Sequence, residues 1–75
     1  MNTQETYIKN YRLKIGNAIK MEREKKGLSQ DELAEKMNVN RSTISKIENG
    51  KFSFSIDYLA KFFWHLGVEF ELKES

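Results

Sequence analysis

Residues 29–50, SQDELAEKMNVNRSTISKIENG, decide the fold. Ser29 is a favoured N-cap residue, and Glu32 three positions on completes a capping box. Leu33, Ala34 and Met37 follow as an apolar stripe at helical spacing. Asn38, Val39 and Asn40 then form a corner. Asn38 tolerates the left-handed backbone that stops a helix, and Asn40 is placed to cap the next one. Gly50 ends that second helix.

Two capped helices with a three-residue corner have the sequence form of a helix-turn-helix. The second helix, residues 41–49, carries the chemical signal. At about 100° per residue, Ile44, Ile47 and Glu48 point one way, while Arg41, Ser42, Ser45, Lys46 and Asn49 share an opposite arc of roughly 140°. The outer arc holds no acid and no large apolar residue. It has two cations and three small hydrogen-bonding groups. A helix entering the major groove needs charge for phosphates, donors for base edges and little bulk. Glu48 on the inward arc needs a partner, because a buried lone carboxylate is costly.

Seventy-five residues form one small domain, residues 1–75. A chain of this size buries about 60% of its unfolded surface, so a partner chain would add stability. It contains no Cys, which fits the cytoplasm, and no metal-ligand cluster. The first 14 residues lack an apolar run, so neither a signal peptide nor a membrane span is expected. Net charge is only +2, but residues 1–50 carry ten Lys and Arg against seven Asp and Glu, whereas residues 51–75 carry three against four. The basic excess lies with the helix pair, where a phosphate footprint would be.

Upstream, residues 4–26 read as one long helix with Ile8, Tyr11, Ile15 and Ile19 on one stripe and Gly27 at its C-cap. Gly16 inside the pattern costs about 1 kcal/mol relative to Ala, which points to close packing against another helix. Tyr7, Ile8, Tyr11 and Leu13 form a helical extension that packs on a partner or on the chain's own C-terminal part. Downstream, KFSFS at residues 51–55 is a loop whose Phe52 and Phe54 suit a lid over a small core. Ser55 caps a further helix that ends at Gly67, with Asp57 in its first turn. Leu59, Phe62, Phe63 and Leu66 make its core stripe. Trp64 points elsewhere and suits an interface. Residues 68–73 alternate strictly, which is the period of a half-buried strand with Val68, Phe70 and Leu72 on one face. A lone strand needs a mate, and the simplest is its copy in a second chain.

The chain resembles the phage Cro and repressor type of helix-turn-helix proteins, the xenobiotic-response-element family. The likeness rests on Ile15, Gly16, Ile19, Arg23, Gly27, Leu28, Ser29, Gln30, Leu33 and Ala34. It continues through Ser42, Thr43, Ile44, Ser45, Ile47, Glu48, Asn49, Gly50 and Lys51, and ends with Leu59, Leu66, Gly67 and Val68. Asn38 departs from the Gly usual at the corner, and the loop after Lys51 lacks the Pro often seen there. The resemblance implies an all-α, four- to five-helix lambda-repressor-like domain. The short strand at residues 68–73 would be paired across a dimer. It also implies a partly buried ion pair between Arg23 and Glu48. The end of the chain, residues 66–72, is similar in a weaker way to antitoxin subunits of persistence-type toxin–antitoxin modules.

The expected function is sequence-specific binding of double-stranded DNA by a homodimeric repressor, with an antitoxin that also holds a toxin protein as the alternative. Arg41, Ser42, Ser45 and Lys46 are candidates for base edges. Gln30, Asn40, Thr43, Asn49 and Lys51 are candidates for phosphates. Trp64, Val68, Phe70 and Leu72 are candidates for the dimer interface. An enzyme is disfavoured: there is one isolated His and no phosphate loop, and the acids Asp31, Glu32 and Glu35 suit the solvated face of a capped helix. No cofactor, metal, membrane or small-molecule substrate is expected.

Overall fold

The computed structural model describes residues 3–53 and 55–69. Its elements are α1 (Thr3–Lys25), α2 (Gln30–Met37), α3 (Arg41–Glu48) and α4 (Ile56–Leu66). Each start has a local cause. The Ser29 hydroxyl accepts from the Glu32 amide at 3.0 Å, and the Ser29 amide donates to the Glu32 carboxylate at 2.8 Å. This reciprocal box satisfies two helix-start donors. Ser55 does half as much for α4, its hydroxyl accepting from the Tyr58 amide at 3.2 Å. Asn40 corrects the sequence expectation. It occupies the N-cap of α3 in an extended backbone, but its side chain makes no capping bond. Its carbonyl accepts from Thr43 instead.

All four helices end the same way. The residue after each left-handed position reaches back five residues: Leu28 to Arg23, Val39 to Ala34, Lys51 to Lys46, and Val68 to Phe63. A second, shorter bond closes inside each, from Gly27, Asn38, Gly50 and Gly67. This paired pattern is the Schellman motif, and it requires a left-handed residue. Glycine supplies it three times; Asn38, at φ 58°, supplies it at the corner.

The core consists of Ile19, Leu33, Ile44, Ile47, Phe62 and Leu66, each 0–1% exposed, with Ala34 beside them. Burying one such side chain is worth roughly 1.5–3 kcal/mol. Phe52, Tyr58 and Phe62 stack edge to face with centroid separations of 6.3 and 5.6 Å, so Phe52 covers one end of the core. Phe54 lies outside the described residues. Leu59 and Phe63 are only partly buried. α3 packs on α1 and α2, and α4 packs on the same two helices from elsewhere. The α1–α3 approach is close because of Gly16: a Cβ there would run into the Ile47 carbonyl oxygen and stand 2.9 Å from that of Glu48.

One expectation narrows and one changes. Of the two places open to the N-terminal extension, the chain's own C-terminal part leaves it largely uncovered; Ile8 is 43% and Tyr11 40% exposed. No strand is seen over Val68 and Glu69. The Val68 amide is committed to closing α4, which leaves it unavailable for a ladder. The rest of the expected strand, including Phe70 and Leu72, lies outside the described residues.

Candidate nucleic-acid interface

The site is built from the inside of α3 outward. Glu48 is 7% exposed, as is Arg23 on α1. Arg23 Nε donates to Glu48 Oε2 at 2.7 Å and Nη2 donates to Oε1 at 3.0 Å, a bidentate fork. The remaining guanidinium nitrogen donates to the Leu28 carbonyl at 2.7 Å. Gln30 Nε2 adds a third donor to Glu48 Oε1, also at 3.0 Å. One carboxylate therefore joins α1, α2 and α3. The hydrogen bonds to Glu48 hold the Arg23 guanidinium above its usual pKa, against the opposing pull of burial. No buried side-chain nitrogen or oxygen among the described residues lacks a partner.

This arrangement removes the acid of α3 from its outward face. Arg41, Ser42, Lys46 and Asn49 are exposed, and Thr43 and Ser45 are half-buried beside them. Arg41 sits at the first position of α3, where a cation is disfavoured by the helix dipole. Its guanidinium lies 3.7 Å from the Asp31 carboxylate, with both side chains mostly in solvent. Such a pair is worth roughly 0–1 kcal/mol, so an approaching anion can displace it.

The phosphate candidates are placed differently from one another. Asn40 is exposed, and its side chain is not used in capping. Asn49 Nδ2 donates to the Ser45 carbonyl at 2.8 Å, tying that side chain to its own helix end. Lys51 is exposed just past α3. Gln30 stands at the first position of α2 with one carboxamide hydrogen directed inward to Glu48. Sequence reasoning missed this inward role. The two residues are eighteen positions apart, and no local signal links them. The Glu32 carboxylate, held by the Ser29 backbone amide and then by its hydroxyl, lies below its usual pKa.

Trp64 is 79% exposed, its ring edge-on to His65 at 4.9 Å. Val68 is half-buried at the end of α4. Among the described residues no group of three or more acids and imidazoles could hold a metal ion, and no helix is long and apolar enough to cross a membrane.

Comparison with curated proteins and with solved structures finds no match. A family model described as helix-turn-helix matches residues 19–72, more than two thirds of the chain. That span begins at Ile19, the core residue of α1, and contains α2, α3 and α4. The chain therefore belongs to the Cro/C1-type helix-turn-helix family of DNA-binding transcription regulators.

Proposed function

We propose that the protein is a homodimeric repressor that reads a pseudo-palindromic operator. Each copy lays α3 in a major groove, with half-sites about 34 Å apart on one face of the duplex. Arg41, Ser42 and Lys46 reach base edges, with Ser45 behind them. A guanidinium or ammonium on guanine is the commonest contact of this type. Gln30, Asn40, Thr43, Asn49 and Lys51 position the helix on phosphates. For Gln30, the second carboxamide hydrogen and the backbone amide at the start of α2 are the donors that remain after its side chain has engaged Glu48. Transcription is then blocked by occlusion. Pairing of the copies uses the end of α4, where Trp64 and Val68 stand.

The observation that carries this reading is the neutralised Glu48. The acid of α3 is buried and paired, so the helix's own exposed arc presents cations and hydroxyls to a polyanion, and the one acid beside it, Asp31, is held by Arg41. Selection from random duplex DNA with the purified protein, at a stated salt concentration, tests it. Enrichment of a two-fold sequence with half-sites one turn apart is the expected result. Failure to enrich any sequence would remove the reading.

A further inference from the structure

α4 carries a second apolar face beside the one it buries, the half-buried Phe63 lying at their border. At about 100° per residue, Ile56, Ala60, Phe63 and Gly67 fall within an arc of roughly 60°, with Trp64 on its flank. Ile56 is 75% exposed. The first turns of α1 bring Tyr7, 66% exposed, together with Ile8 and Tyr11 to the same side. These residues and Ile56 line a groove of about 340 Å³. A smaller hollow of about 190 Å³ continues along α4 past Ala60 to Phe63. Ile56 and Leu59 border both, so the surface is continuous, and Arg12 is the one charged residue among the described residues lining it.

We infer that a second copy of this chain docks on this face, α4 against α4 about a two-fold axis near Ala60, with Tyr7 and Tyr11 closing over the partner's groove. The inference rests on the proposed homodimer and moves its contact from the end of α4 at Val68 to the face that runs from Ile56 to Trp64. At about 200 Å² for a fully exposed large side chain, the exposed parts of Tyr7, Ile8, Tyr11, Ile56 and Trp64 come to roughly 600 Å². That is the upper end of what a monomer leaves open, and most of the ~800 Å² per partner in a stable interface. The near absence of charge offers a foreign partner no electrostatic complement. A face that carries both a groove and its own projecting rings is self-complementary, as a two-fold contact requires. The α1 wall of the groove lies before residue 19, where the family match begins, and its α4 wall lies within the match.

Sedimentation equilibrium of the full chain tests it, with Ile56→Asp and Tyr7→Asp as variants. Both positions face solvent, and an acid at the first position of α4 suits the helix dipole, so circular dichroism should show unchanged helix. The expected result is a dimer in the parent chain whose dissociation constant rises at least about tenfold in each variant, as for interface anchors. A parent chain that stays monomeric up to about 1 mM overturns the inference. So does a dimer unaffected by both variants, or one dissociated by Leu72→Asp instead, which would return the pairing to the C-terminal segment. A monomer that still enriches a half-site in DNA selection leaves the DNA reading intact and removes only this interface. A variant-sensitive dimer that enriches no DNA does the reverse.

Discussion

From Gly16 onward, α1 buries one residue per turn against the rest of the chain: Gly16, Ile19 and Arg23. Its first turns bury none, and Tyr7, Ile8, Tyr11 and Leu13 are 40–66% exposed. The helix is continuous, so local propensity does not distinguish the halves. What differs is what they face. The second half meets α3 at backbone distance and supplies the cation that neutralises Glu48. The first half runs past the core and presents rings to a groove. Apolar spacing alone therefore does not say whether a stripe is filled by its own chain or left for another.

The largest effect that could break this contrast is Arg23→Ala. Removing one member of a buried ion pair costs about 3–5 kcal/mol. Total stability for a chain of this length is about 4–11 kcal/mol, so thermal denaturation should show a melting temperature lower by tens of degrees, or no folded state at all. Unchanged melting would mean that Glu48 is not anchored as described. Next is Gly16→Ala, whose added carbon meets two backbone carbonyls that cannot rotate away. Overpacking of this kind costs about 1–3 kcal/mol in denaturant titration. The extension should behave otherwise: Tyr7→Ala changes monomer stability by no more than about 0.5 kcal/mol, as exposed substitutions do.

Lys46→Ala sharpens the contrast from the outer side of α3. It should weaken specific DNA binding by about 1–3 kcal/mol, measured by titration against the selected site, with no change in melting. Equal affinity and equal site preference would take Lys46 out of the base-reading set. The smallest effect lies at the α2 cap. Ser29→Ala should cost about 1 kcal/mol. Glu32 adds a pH signature. Its folded pKa lies below the ordinary 4.5, so its contribution is present above that value and fades as pH falls through the folded one. In acid titrations followed by circular dichroism, Glu32→Ala should therefore lose less stability below pH 4.5 than the parent chain.

The motif was legible in the sequence because its determinants are local. The Ser29–Glu32 box, the left-handed Asn38 and the terminal Gly50 act within six residues of one another's helix ends. The inward set Ile44, Ile47 and Glu48 follows from helical period alone. The cap at Asn40 was only half legible: the residue type marks the position, but whether its side chain or its carbonyl does the work depends on rotamer. Val68 and Glu69 misled for a related reason. Alternation describes what a strand would bury, yet the Val68 amide was already needed to close α4.

By itself the sequence determined where the helices of the motif start and stop, which arc of α3 faces outward, and that Glu48 must find a partner. These depend on backbone hydrogen bonding and a fixed 3.6-residue period, which neighbouring residues set. Only the tertiary structure decided that Gln30 joins Arg23 on Glu48, that Gly16 seats α1 on the carbonyls of α3, and that the first turns of α1 meet α4 without being covered. Those facts depend on the relative placement of elements eighteen to fifty residues apart, and spacing along a chain does not encode the distance between packed helices.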